Sequence, residues 1–225
     1  MRTQPTTEGY WTQDGVLTPG ECDDLLRALA DARIARGRAG ARHLMSLPAV
    51  ARLAADPRLL AMARRALGPG AVPYRATLFE KSGRANWLVV WHQDTALPLE
   101  ARVHSPEWGP WSVKAGILYA HAPARALERI VALRVHLDAS TPDNGPLRVV
   151  AGSHVLGVLE DEEVFAHAEA LGGRECLVGR GGVLAMRPLL IHSSSKARTA
   201  AARRVLHIEY GDGLDLGGGA RLAVA

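Results

Sequence analysis

His92-Gln93-Asp94 stands in WHQD, His192 in LLIHSSS, and Arg203 follows eleven residues after His192. Two imidazoles and one carboxylate suit ferrous iron. They leave half of an octahedron open for a co-substrate and dioxygen, the ligand pattern of non-haem Fe(II) oxygenases. An arginine beyond the last ligand adds a planar fork able to form two parallel charge-assisted hydrogen bonds with a carboxylate, which a lysine does not offer. Types and order together suggest iron chemistry on a molecule that presents a carboxylate.

His-x-acid alone is a weak signal, since the chain holds four: His92/Asp94, His136/Asp138, His167/Glu169 and His207/Glu209. A strand puts residues i and i+2 on one face, whereas a helix turns them about 200° apart. The pair in DEEVFAHAEALGG, which reads as a short helix closed by Gly172, should therefore not chelate. His207/Glu209 lies after every other histidine, beside Arg203 and Arg204, and would bind only in reversed order. His136/Asp138 in the alternating RVHLD is the serious rival, because His192 follows it as well. The setting favours His92/Asp94: apolar WLVVW feeds into HQD and a proline-containing loop follows, which puts the ligands at a barrel mouth.

The elements that must position these residues fall into two textures. Thr18-Pro19-Gly20-Glu21 is a capping-box pattern predicting a helix through LLRALADARIARG. Asp56-Pro57 starts a second over RLLAMARRAL, ended by Gly68-Pro69-Gly70. From about Val72, short apolar or alternating runs follow: ATLFEK, WLVVW, RIVALRVHL, PLRVV, GGVLAM, LLIHS and RRVLHIEY. Turn residues separate them, Asn144-Gly145 among them, which argues for a β-sandwich or jelly roll over a βαβ fold. The expectation is one domain over 1–225, an all-β core with flanking helices. It has a helical part at about 1–70, a jelly-roll core at about 72–212 and a loose tail, GLDLGGGARLAVA.

Composition narrows the function classes. The net charge is +4, yet the 24 arginines are scattered and the only lysines are Lys81, Lys114 and Lys196. No basic stripe interleaved with aromatics points to nucleic acid. Cys22 and Cys176, with no CxxC, read as reduced thiols of a cytoplasmic protein. No apolar stretch approaches the ~20 residues that span a bilayer, so neither membrane nor nucleic acid is expected as a partner.

HQD, then LDASTPDNGPLRVVAGSH, then His192 with Arg203 in ARRVLHIEY, resembles the phytanoyl-CoA dioxygenase (PhyH) family of Fe(II)/2-oxoglutarate oxygenases over roughly 76–210. The resemblance implies a double-stranded β-helix, with Fe(II), 2-oxoglutarate and O2 as cofactor and co-substrates. It implies hydroxylation of a small molecule with release of succinate and CO2. It makes His92, Asp94 and His192 the metal ligands, and sets Arg203, helped by Ser194, on the distal carboxylate of 2-oxoglutarate. Gln93 and Lys81 become candidates for the proximal, metal-chelating carboxylate. Where some relatives place a tryptophan against the distal carboxylate, this chain has Arg134.

Several residues carry two readings. Alternation allows only one of Arg203 and Arg204 to face inward, and the spacing favours Arg203. Arg134 and His136 share a strand face. They are substrate contacts, or they form an outer face with Ile130 and Ala132 while Val131, Leu133, Val135 and Leu137 fill the core. Lys81 is otherwise a surface charge, and His154 holds a turn. The stretch from Thr95 to Arg129 lacks periodicity and reads as a lid, with Trp108 and Trp111 touching substrate or serving as plain hydrophobic cover. Asp94 occupies the position a halide would need, which argues against halogenation. Two alternatives stay open, a cupin-like metal enzyme that does not use 2-oxoglutarate and a silent jelly-roll binding module. Arg203 would have nothing to bind in the first.

Overall fold

A computed structural model describes residues 7–37, 39–82 and 85–225. The capping box forms: Thr18 Oγ1 accepts from the Glu21 N–H at 3.2 Å, and the Glu21 carboxylate accepts from the Thr18 N–H at 2.7 Å. It opens α1 (Pro19–Asp31). α2 (Pro48–Ala54) follows, and Asp56 caps α3 (Pro57–Leu67), which Gly68 ends at φ 90°. The first helix stops earlier than LLRALADARIARG suggests. Arg36–Gly37 and Gly40–Ala41 leave it to pair as a hairpin on the edge of a sheet.

The larger sheet runs in the order β1 (Tyr10–Gln13), β12 (Val183–Met186), β9 (Ile130–His136), β14 (Arg203–Gly211), β4 (Val72–Lys81), β3 (Gly40–Ala41) and β2 (Arg36–Gly37). The smaller runs β11 (Arg174–Cys176), β10 (Leu147–Val149), β13 (His192–Ser194) and β5 (Val89–His92). All these pairings are antiparallel. From β4 onward the chain passes large, small, large, small, small, large, small, large through β4, β5, β9, β10, β11, β12, β13 and β14. That alternation between facing sheets is the jelly roll, or double-stranded β-helix, that was expected.

The large sheet is buried on both faces. Leu78, Leu133, Val135, Leu206 and Ile208 point outward against Leu25, Leu29, Leu59 and Met62 of the helices. Each such fully buried side chain contributes about 1.5–3 kcal/mol. The opposite face of β9 looks between the sheets: Ala132 packs with Leu147, Val149 and Leu184, while Arg134 is 6% and His136 1% exposed. The outer-face reading of Arg134 and His136 is thus corrected. The apolar residues of β9 do fill a core, but it is the one under the helices, and the polar pair faces the interior.

The stretch from Thr95 to Arg129 is not an irregular loop. It builds a small sheet in the order β6 (Ala96–Leu99), β8 (Ile117–His121), β7 (Trp111–Lys114), and then α4 (Ala124–Leu127). The C-terminal stretch is not loose either. β15 (Asp215–Gly217) and β16 (Ala220–Arg221) form a hairpin, Leu222 is fully buried, and Ala225 exchanges main-chain hydrogen bonds with Tyr74 and Ala76. Trp108, Leu97, Leu99, Leu127 and Leu222 share one apolar cluster that joins insert and tail. α5 (Asp161–Leu171) ends at Gly172, as its sequence suggests. No helix among the described residues is long and apolar enough to cross a membrane.

Candidate metal centre and co-substrate chamber

β5 and β13 are neighbours, and His92 and His192 are register partners whose rings lie 4.2 Å apart. His92 Nδ1 lies 2.8 Å from the Val90 carbonyl and His192 Nδ1 2.8 Å from the Leu190 carbonyl. A carbonyl only accepts, so each Nδ1 carries the proton and each Nε2 keeps its lone pair for a metal. Asp94 follows where β5 opens into the insert, its N–H bonded to the Pro188 carbonyl at 2.9 Å. Its two oxygens stand 3.7 Å from His92 Nε2 and 3.6 Å from His192 Nε2, and the three ligand atoms lie within 4.8 Å of one another.

Burial pushes the His192 imidazole down to about 3, with His92 acting in the same direction. Burial alone would raise the Asp94 carboxyl, but His192 and His92 overcome it and hold Asp94 well below the usual carboxylate range. A neutral imidazole and an ionised carboxylate are the forms that bind Fe(II).

The rival pair is separated. His136 Nδ1 meets Ser140 Oγ at 3.2 Å inside the roll. Asp138 accepts instead from the Arg204 N–H at 2.9 Å and from its guanidinium at 2.7 and 2.8 Å. Arg204 is therefore the outward arginine and Arg203 the inward one.

The inward face of the large sheet is built in cross-strand rows. Arg203 pairs with Lys81, Val205 with Phe79 and His136, His207 with Thr77 and Arg134, and Glu209 with Arg75 and Ala132. At one end Ser194 Oγ accepts from Lys81 Nζ at 2.7 Å and from Arg203 Nη2 at 3.3 Å, and donates to the Gly145 carbonyl at 2.9 Å. Lys81 is 1% exposed, so it is no surface charge. It shares Ser194 with Arg203, which sets it at the distal pole rather than beside the metal. Gln93 has no free amide for a proximal carboxylate: its side chain is taken by the main chain of Gly157, Leu189 and Leu159 at 2.8–2.9 Å. It braces the ligand loop.

Among the described residues no carboxylate pairs with Arg203, Lys81 or Arg134, the cations of this chamber. Arg203 is 3% exposed, yet its Nε and Nη1 have no partner, nor do Arg134 Nε and His136 Nε2. Burial disfavours the charged form of Arg203, and nearby Arg134 adds to that. Buried donors are normally paired. The unpaired set fits the far carboxylate of a dicarboxylate whose near end chelates iron. His192 and Ser194, two residues apart on β13, bring the triad and the cluster of Arg203, Lys81 and Ser194 close together along one strand.

Deeper along the same face, Arg75 forms an ion pair with Glu209, and Arg134 Nη1 donates to His207 Nδ1 at 3.1 Å. Arg75 escaped the sequence reading, and His207/Glu209 entered it only as a reversed-order chelating pair, although RRVLHIEY carried the signal: once Arg203 faces inward, His207 and Glu209 must as well. Asp94 also borders a cavity of about 270 Å³ walled by Phe79, Thr95, Lys114 and Tyr119, among others. Trp108 and Trp111 do not line it. Trp108 is 7% exposed in the insert's apolar cluster, and Trp111 packs against that cluster under Arg102. The insert does reach the cavity, but through Lys114, Tyr119 and His121, for which no motif was visible.

Among known proteins, an L-proline trans-4-hydroxylase of Streptomyces griseoviridis is 26% identical over 186 residues, which cover 71% of this chain and 62% of that protein. An ectoine dioxygenase of Sphingopyxis alaskensis is 33% identical over 107 residues, covering 48% and 28%. The chain thus matches less than two thirds of either relative's length. The structure of EctD from S. alaskensis with 2-oxoglutarate and 5-hydroxyectoine superposes with a TM-score of 0.71 at 23% identity, covering 94% of this chain and 74% of the other. That of HygX from Streptomyces hygroscopicus with nickel and 2-oxoglutarate gives 0.67 at 22%, covering 92% and 84%. These likenesses share the fold. The family model for phytanoyl-CoA dioxygenase (PhyH) matches residues 6–205. A match that runs through both sheets and past Arg203 into β14 makes the chain a member of the phytanoyl-CoA dioxygenase (PhyH) family.

Proposed function

We propose that the chain is an Fe(II)- and 2-oxoglutarate-dependent dioxygenase that hydroxylates a small organic molecule. One C–H bond and 2-oxoglutarate react with O2 to give C–OH, succinate and CO2. The observation that carries this reading is the buried chamber of Arg203, Lys81 and Ser194, where two Arg203 nitrogens are unpaired among the described residues and Ser194, which Arg203 reaches, stands two residues along β13 from the ligand His192. A metal enzyme that did not use an oxoacid would have no reason to bury an uncompensated cation there.

In this reading His92, Asp94 and His192 hold iron, which supplies the oxidising chemistry when it binds an oxoacid and O2. Arg203, Lys81 and Ser194 hold the distal carboxylate. Arg134 and His136 wall the chamber rather than touch the primary substrate. Two relatives are named for action on proline and on ectoine, both small molecules. The described chain works as one domain. Buried Cys22 and Cys176, both unpaired, support a cytoplasmic setting.

The test is aerobic turnover of iron-loaded protein across a panel of small metabolites, reading succinate and incorporation of oxygen from 18O2. The reading expects one succinate per hydroxylated product. Oxidised product formed at full rate without 2-oxoglutarate would contradict it.

A further inference from the structure

The cavity beside Asp94 gathers more cations than acids on its wall. Arg42, Arg75 and Lys114 all line it, and Asp94, which the metal claims, is the only acid among the lining residues. Glu209 pairs with Arg75. Among the described residues no carboxylate pairs with Arg42 or Lys114, and neither makes a side-chain hydrogen bond.

Lys114 is held in place rather than waving in solvent. Its Nζ lies 4.8 Å over the Tyr119 ring, and the Arg75 guanidinium lies 5.5 Å from the same ring. Tyr119 is 2% exposed and its hydroxyl is fixed by His43 Nε2 at 2.8 Å. Burial lowers the pKa of Lys114, Arg42 and Arg75 lower it further, and Asp94 opposes them without reversing the shift, so these cations are near enough to repel one another. Like charges gathered on one wall are stabilised by an anion placed between them.

Resting on the dioxygenase reading above, we propose that the primary substrate carries a carboxylate, bound by Lys114 and Arg42 next to the open side of the metal centre. The cavity's volume of about 270 Å³ fits a small acid. Phe79 supplies apolar wall for its body, while the two cations fix which end points at the metal. Lys114 and Arg42 thereby select the carbon that is oxidised, a specificity separate from that of Arg203, which serves the co-substrate.

The test uses whole protein loaded anaerobically with Fe(II) and saturating 2-oxoglutarate, confirmed by the visible band of a chelated oxoacid. It is titrated by calorimetry with propionate, propionamide and methyl phosphate, while perturbation of the band is recorded. Propionate should bind and shift the band, and propionamide should bind roughly 10- to 100-fold more weakly, as expected for loss of a charge-assisted contact. Lys114→Gln and Arg42→Gln should each remove that preference while keeping the band. An intact band with no preference for propionate over propionamide overturns the inference, as does equal propionate binding in the variants. Tighter binding of methyl phosphate than propionate overturns it in favour of a phosphate ester. A band that never forms overturns the dioxygenase reading beneath it.

Discussion

The outcome at single residues is decided by what lies opposite each polar group. Asp94 faces two imidazole nitrogens and Asp138 faces a guanidinium, so the two aspartates of competing His-x-Asp pairs have different fates. Asp94→Ala should abolish tight iron binding with little change in melting temperature. Asp138→Ala should keep its iron and lose about 1–2 kcal/mol, because Arg204 loses both a backbone and a side-chain acceptor in a partly exposed pair. Iron stoichiometry and melting curves on both variants check this, and iron lost from the Asp138 variant would reverse the assignment.

Lys81 gives a pH signature. Burial, reinforced by Arg203 and Arg134, brings it down from 10.5 to about 7. A bound dicarboxylate favours the ammonium form, so at about pH 8 co-substrate binding takes up a proton, and affinity weakens as pH rises above about 7. For folding, the unfolded chain holds more protons than the folded one between about 7 and 10.5, so this group's penalty on apo-protein stability shrinks as pH rises through that window. Calorimetry in buffers of different ionisation heat counts the proton. No uptake at that pH would place Lys81 outside the co-substrate site.

At the scale of elements, the alternation of RRVLHIEY and the PDNG turn were legible, and the turn's glycine has a checkable role. Gly145 sits at φ 69°, and a Cβ there would run into the Ser195 carbonyl and come within 3.2 Å of Lys81 Nζ. Gly145→Ala should lower stability by about 1–3 kcal/mol and weaken 2-oxoglutarate binding while iron binding survives. Thermal denaturation paired with oxoacid titration tests it, and unaltered co-substrate affinity would show that the turn does not shape the chamber. The insert was not legible because its strands carry no hydrophobic period of their own. Leu97, Trp108 and Trp111 are placed by packing in one cluster with Leu127 at the insert's own end and with Leu222, which lies far away in sequence. The polar face of β9 misled for the converse reason: where both faces of a strand are buried, apolar residues no longer mark the inside.

The molecule as a whole is a jelly roll closed by its own C-terminal segment. The triglycine at 217–219 reads as slack, yet it turns a hairpin whose second strand starts at Ala220 and leads directly into Leu222, both fully buried. Deleting residues 213–225 should expose the apolar cluster holding Trp108 and lower the melting temperature by several degrees or more, since each buried apolar side chain removed costs about 1.5–3 kcal/mol. Unchanged melting would mean the segment does not hold the insert. The overall plan was readable from strand texture and ligand order. The closure was not, because it depends on contacts between the chain's end and its middle.

The central claim is that Arg203 holds the far carboxylate of an oxoacid chelated by the metal at His92, Asp94 and His192. Anaerobic titration of 2-oxoglutarate into iron-loaded wild type, Arg203→Ala and Arg204→Ala, followed by the visible band of the chelate, measures it most directly. Arg203→Ala should weaken binding by roughly 2–5 kcal/mol, the loss for one partner of a buried charge pair, while Arg204→Ala stays near wild type. Equal affinities for all three proteins, or the greater loss in Arg204→Ala, would contradict it.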